Sequence, residues 1–216
     1  HLRTKREAVE KAFLSISDGY YFMVSGFDDF LNNFGVEKAA YGNPITGLLS
    51  YKTFDPTNID FVFYVEKGPD TDEYWVQDYS TGMYVAKGSV WYNSPAVMTS
   101  SKAEPQNIRQ YVSGKWYWGS RTFHNTSYTP YASSNPVASD SEGTLTTWGQ
   151  WSDDSTVGTH FNLWYMRRVS DEQMAGFVLL KEQAMRTKSI EELATEGNNL
   201  YAKLFNYKVV EANPLI

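Results

Sequence analysis

Apolar residues rich in aromatic and β-branched types gather over Tyr74-Trp75-Val76, and polar Gln77-Asp78 followed by Tyr79-Ser80-Thr81-Gly82 leads into a second apolar run, Met83-Tyr84-Val85-Ala86. Two such runs broken by a polar turn predict a β-hairpin, with Gly82 free to take a positive φ. Further strands are predicted at Tyr20–Ser25, Glu37–Tyr41, Leu48–Phe54, Phe61–Val65, Ala96–Ser100, Ile108–Val112, Lys115–Ser120, Tyr128–Ser133, Thr144–Trp148 and Phe161–Met166. At both ends the period changes to 3.6. Leu2, Val9, Ala12, Phe13 and Ile16 fall on one helical face that stops at Ser17-Asp18-Gly19. Near the C-terminus, Ser170 with Gln173 resembles a capping box and opens a helix carrying Met174, Phe177, Val178, Lys181, Ala184 and Met185. Ser189-Ile190-Glu191-Glu192 opens a second, carrying Leu193, Leu200, Tyr201 and Leu204, and the tail from Asn206 reads as a strand or extended segment. The division expected is a helical flank over 1–17, a β-domain over 18–169 and a helical segment over 170–216.

The strands repeat. Phe61-Val62-Phe63-Tyr64-Val65, Ile108-Arg109-Gln110-Tyr111-Val112 and Phe161-Asn162-Leu163-Trp164-Tyr165 superpose as closing strands at intervals of roughly 50 residues. Gly19-Tyr20-Tyr21-Phe22, Glu73-Tyr74-Trp75-Val76 and Lys115-Trp116-Tyr117-Trp118 superpose as opening strands. Each cycle leaves room for two short strands between opener and closer. Three cycles of four strands predict a β-trefoil, with six strands closing a barrel and three hairpins capping one end. A propeller of three blades falls below the usual minimum of four.

Composition narrows the function. Aromatics make up 16% of the chain, with 7 Trp and 16 Tyr, and supply both strand-forming residues and stacking surfaces for ring-shaped ligands. The formal net charge is −6, with no basic cluster interleaved with aromatics, which argues against nucleic acid. An acidic surface does not suit an anionic membrane, and no apolar run is long enough to span one. With 0 Cys there is neither a disulfide framework nor cysteine-ligated zinc.

Tyr74–Val85, with its Ser-Thr-Gly turn and Tyr-Val strand, resembles the opening of ricin-type (R-type lectin) β-trefoil repeats. The nearest likeness is to divergent modules in large secreted proteins of polysaccharide-degrading bacteria, an expectation strengthened by the strand Thr144–Trp148, by Trp164 and by helical flanks. The resemblance covers about residues 18–169. It implies a sugar site in each repeat, built from an acidic residue after the hairpin, an aromatic platform on the third strand and a Gln-x-Trp at the closer. A pyranose has an apolar face and a rim of hydroxyls, so a ring beside hydrogen-bonding groups matches it. Carried onto this chain, the platform falls on Tyr51 in the first repeat, near Thr99 in the second and on Trp148 in the third. The acidic position of the second repeat is Ala86. Gln-x-Trp survives as Gln106-Asn107-Ile108, with Phe61 and Phe161 at the other Trp positions. The third repeat is therefore the expected ligand site, with Trp148, Gln150 and Trp151 beside His124, Asn125 and Tyr128. Tyr51 with Asp28 and Asn32 is the secondary candidate.

Catalytic constellations are weak. His124 and His160 lack a carboxylate at metal-motif spacing. Asp28-Asp29 and Asp153-Asp154 are adjacent pairs, which on a strand point to opposite faces. No nucleophile elbow, phosphate loop or dinucleotide fingerprint is present. The expectation is a non-enzymatic, cofactor-free module of a larger extracytoplasmic protein, with a glycan or polysaccharide and neighbouring domains of the same chain as partners. The alternative is a vestigial trefoil acting as a structural spacer or protein-interaction domain, and a hydrolase would require two convergent carboxylates in a cleft.

Overall fold

A computed structural model of the chain describes residues 16–26, 28, 31–32, 35–87, 94–102, 104–112, 114–123, 126–132, 143–148 and 163–212. The expected N-terminal helix lies outside them. The strands are β1 (Gly19–Ser25), β2 (Lys38–Asn43), β3 (Leu48–Thr53), β4 (Val62–Lys67), β5 (Glu73–Asp78), β6 (Tyr84–Lys87), β7 (Ser94–Thr99), β8 (Gln106–Val112), β9 (Lys115–Phe123), β10 (Thr126–Ala132), β11 (Gly143–Trp148) and β12 (Leu163–Arg168). Gly82 takes φ 74° between β5 and β6, where its N–H donates to the Asp78 carbonyl at 2.8 Å.

The pairing runs β1–β4–β5–β8–β9–β12 and returns to β1, every pair antiparallel. Closure into a ring removes free sheet edges. The other strands form the hairpins β2–β3, β6–β7 and β10–β11, whose second strands pair with one another. The connectivity is trefoil-like. The ring strands are those expected as openers and closers.

The register corrects the sequence alignment of these strands. Tyr21 lies opposite Phe63, Tyr74 opposite Gln106 and Trp116 opposite Trp164. Across the other seams, Met23 faces Met166, Val76 faces Val65 and Trp118 faces Ile108. Equivalent closers are thus Phe63-Tyr64-Val65, Gln106-Asn107-Ile108 and Trp164-Tyr165-Met166. The residues matching Ile108 are Val65 and Met166, in place of the expected Phe61 and Phe161. Local apolar pattern does not fix such a shift, because runs such as Phe61–Val65 are apolar on both faces.

These equivalent positions build the core. Tyr21, Met23, Phe63, Val65, Tyr74, Val76, Ile108, Trp116, Trp118, Trp164 and Met166 are buried together with Leu49, Tyr51, Val85 and Leu145 from the hairpins. Trp118 packs edge-on against Trp164 with centroids 5.3 Å apart, and Phe63 meets Trp118 at 6.1 Å. Gln106 is the polar member, and its amide donates to the Val85 carbonyl at 3.3 Å.

Residues 171–216 form a compact unit of their own. Helix α1 runs unbroken over Asp171–Ala212. This corrects the expectation of two C-terminal helices and of a non-helical tail from Asn206. Ser189 resembles a cap in sequence, but Arg186-Thr187-Lys188 before it contains no Gly or Pro to end the preceding turns. Ile190, Leu193, Leu200, Tyr201 and Leu204 on this helix are exposed.

Candidate functional site

Each hairpin presents one position equivalent to Trp148, and pairing identifies it. Leu48 faces Val97, Pro95 faces Thr146 and Thr144 faces Ser50 where the hairpins meet. Ser50, Val97 and Thr146 are therefore equivalent, and two residues further on so are Lys52, Thr99 and Trp148. Their partners within the hairpins are Ala39, Tyr84 and Thr129. In this register Tyr51 corresponds to Met98, a core position. Its ring is 2% exposed and lies directly under β11, where a Cβ at Gly143 would clash with Tyr51 Cε1. Tyr51 is thus a core residue and no sugar platform. One residue of slip transfers a side chain to the other face of a strand.

The first-lobe residue equivalent to Trp148 is Lys52, next to the expected Tyr51. Its Nζ lies 3.1 Å from Asp60 Oδ2 and 4.1 Å from the centroid of the Tyr41 ring. In the second lobe Thr99 donates its hydroxyl to the Ser101 carbonyl at 2.9 Å, and Ala86 is buried. Of the three equivalent positions, only the third is aromatic. Trp148 ends β11 opposite Thr129, and Tyr128 is the preceding residue of β10, so one hairpin brings their backbones together. His124, Asn125, Gln150 and Trp151 lie outside the described residues.

Asp28, the other first-repeat candidate, is held by the barrel. It accepts from Lys115 Nζ at 2.8 Å and from the Tyr165 hydroxyl at 3.0 Å, while its carbonyl accepts from the Asn32 N–H at 2.9 Å. Burial works against the Lys115 ammonium, but the hydrogen bond to Asp28 and the fields of Tyr165 and Asp28 hold its pKa above the usual lysine value. Burial likewise raises the Tyr165 phenol, against the pull of Lys115. Such a charge-assisted triad braces one end of β9 and β12.

Asp78 is the most perturbed carboxyl among the described residues. It is 1% exposed, and burial raises its pKa to about 6 despite a 2.6 Å hydrogen bond from Thr81 Oγ1. Its Oδ1 meets no donor among those residues. No group of three or more His, Cys, Asp or Glu among the described residues could hold a metal ion. No described helix is long and apolar enough to cross a membrane.

No family model matches the chain, and no curated protein matches it. Solved structures do. The Polyporus squamosus lectin, bound to the human-type influenza-binding epitope Neu5Acα2-6Galβ1-4GlcNAc, aligns at TM-score 0.50 and 13% identity over 71% of this chain and 50% of its own. The designed three-fold symmetric protein ThreeFoil aligns at TM-score 0.51 and 11% identity over 70% of this chain and 100% of its own. An exo-β-1,3-galactanase from Clostridium thermocellum aligns at TM-score 0.50 and 11% identity over 70% of this chain and 30% of its own. The chain is similar in fold to lectin-type β-trefoil proteins. It spans half of that lectin and less of the galactanase, and at such identities the likeness concerns the fold alone.

Proposed function

We propose that residues 18–169 are a β-trefoil acting as a non-catalytic carbohydrate-binding module, part of a larger extracytoplasmic bacterial protein. The observation that carries the reading is the asymmetry of the three equivalent hairpin positions: Lys52, Thr99 and Trp148. At these positions only the third lobe keeps a residue type able to stack on a pyranose, and Tyr128 adjoins it in the same hairpin. Trp148 supplies the platform in this reading, and Gln150, Trp151, His124, Asn125 and Tyr128 supply further contacts and hydroxyl partners. A site of this kind binds weakly by itself and gains from neighbouring modules through multivalency. Lectin folds among the similar structures support the glycan as ligand.

The test is a glycan array probed with the full chain and with Trp148→Ala, followed by calorimetry on any hit. Binding that falls about tenfold or more in the variant is expected. Binding to no glycan, or binding that Trp148→Ala leaves intact, would sink the site. The loss of aromatics at Lys52 and Thr99 favours a second reading, a structural spacer or protein-interaction domain. Pull-down of a neighbouring domain together with an empty array would support it.

A further inference from the structure

The outer face of the barrel wall carries a second concentration of aromatic rings, which uses none of the residues of the third lobe. Tyr21, Phe63, Val76 and Val85 point into the core, so their neighbours Tyr20, Tyr64, Gln77 and Tyr84 point outward. The ladders place Tyr20 opposite Tyr64, Tyr64 opposite Gln77 and Gln77 opposite Tyr84. One row of side chains therefore crosses β1, β4, β5 and β6, spanning roughly 14 Å in three inter-strand steps. Beside it, Glu66 faces Trp75.

The rings are arranged in two groups. Tyr20 and Tyr64 lie 5.0 Å apart and Tyr79 packs edge-on against Tyr20 at 5.4 Å. Lys102 Nζ stands 5.7 Å from the Trp75 ring and 5.9 Å from the Tyr84 ring, tethered to Glu66 at 2.7 Å. All five rings are only half-buried. Between the groups, the Gln77 amide is oriented by donating to the Gly82 carbonyl at 2.9 Å. The hydroxyls of Tyr20, Tyr64 and Tyr84 make no hydrogen bond among the described residues.

Flat ring faces alternating with an oriented amide and open hydroxyls match a ligand that repeats an apolar face and a hydroxyl edge along its length. We propose that this wall binds a neutral, extended glycan chain of several sugar units lying across the strands. Its pyranose rings stack on the Tyr20–Tyr64 and Trp75–Tyr84 groups, and its hydroxyls bond to Gln77 and the tyrosine hydroxyls. Neutrality follows from the surroundings. The lysine here is already paired with Glu66, and after burial the charges of Asp18 and Glu66 are what hold the Tyr64 phenol above its ordinary value. An anionic chain would meet those carboxylates. The inference rests on the carbohydrate-binding reading but places the ligand on a different surface.

Isothermal calorimetry of the full chain with cellohexaose, xylohexaose and laminarihexaose, their disaccharides and hexagalacturonate tests it. At least one neutral hexasaccharide is expected to bind about tenfold tighter than its disaccharide, and hexagalacturonate is expected to bind more weakly than that hexasaccharide. Trp75→Ala and Tyr64→Ala should each weaken that binding about tenfold, Tyr64→Phe should weaken it less, and Ile45→Ala, in the exposed turn between β2 and β3, should leave it unchanged. Tyr84→Leu replaces Trp75→Ala if the latter fails to fold by circular dichroism. Binding lost in Trp148→Ala but kept in Trp75→Ala and Tyr64→Ala would overturn the wall site while leaving the third-lobe reading standing. Absence of binding to every neutral hexasaccharide, or tighter binding of hexagalacturonate, would also overturn it.

Discussion

Phe22 and Tyr20 point outward from the same strand, two residues apart, and meet different fates. Phe22 lies opposite Val62 and is buried under Phe54, at 5.0 Å, which in turn packs on Phe61 at 5.4 Å. Tyr41 completes that group at 6.2 Å from Phe61, and Lys52 lies over its ring. The segment between β3 and β4 holds the cover in place. Asp55 accepts from the Thr57 N–H at 2.9 Å, and Asn58 caps the short 3-10 turn Ile59–Phe61 by accepting from the Asp60 N–H at 3.0 Å. Tyr20, opposite Tyr64, stays half-buried. The difference teaches that outward aromatics on one wall serve two purposes. Where a loop covers them they are a satellite core, and where they are left open they are free to meet a ligand.

Removing a covered ring should have the largest effect on stability. Phe61 is fully buried, so Phe61→Ala is expected to cost about 3–5 kcal/mol in urea unfolding, whereas Trp75→Ala on the open side should cost about 1 kcal/mol or less. Equal losses would abolish the distinction between the two groups.

Asp78 gives the next largest effect and separates core electrostatics from the wall. Its folded pKa of about 6 lies above the ordinary 3.8, so the native state binds the proton more tightly than the unfolded chain does. Stability from this group is fully present below the unfolded pKa and falls as pH rises to about 6, by about 3 kcal/mol in all. Asp78→Asn should remove that decline, measured as the change in unfolding free energy between pH 4 and pH 7 in variant and parent. A decline of unchanged size would show that other groups produce it.

The smallest effect is expected at the rim of the covered group. Lys52→Ala breaks the ion pair with Asp60 and the cation–π contact with Tyr41, and should cost about 1 kcal/mol or less because the pair is partly exposed. A cost comparable to that of Phe61→Ala would mean that Lys52, rather than the aromatic packing, holds the cover down.

Much of the strand order was legible because strand, turn and cap signals act over a few residues. The Glu73–Ala86 hairpin shows this well, since the aromatic and β-branched runs, the Ser-Thr-Gly turn and the positive φ of Gly82 all agree. The site was less legible. Tyr51 and Lys52 are neighbours in a short strand, and choosing which of them matches Trp148 requires knowing which residue of β11 lies against Ser50. The open wall row was hidden for a similar reason, because Tyr20, Tyr64, Gln77 and Tyr84 become neighbours only through three ladders. The cap-like Ser189 failed as a helix start because a capping residue must itself leave the helical conformation, and nothing preceding it breaks the helix.

By itself, then, the sequence determined where the strands and turns fall, the three cycles of four strands and the helical character of the C-terminal segment, all consequences of local periodicity and backbone preference. Only the tertiary structure decided the register between distant strands, and with it which aromatic rings enter the core, which are covered and which stay open. The physical reason is the two-residue period of a strand: one residue of slip reverses every side chain, and long-range pairing alone sets the slip. The hairpin from Glu73 to Ala86 is legible as a unit of fold from its own residues, while its outer face becomes a candidate binding surface only beside β1 and β4.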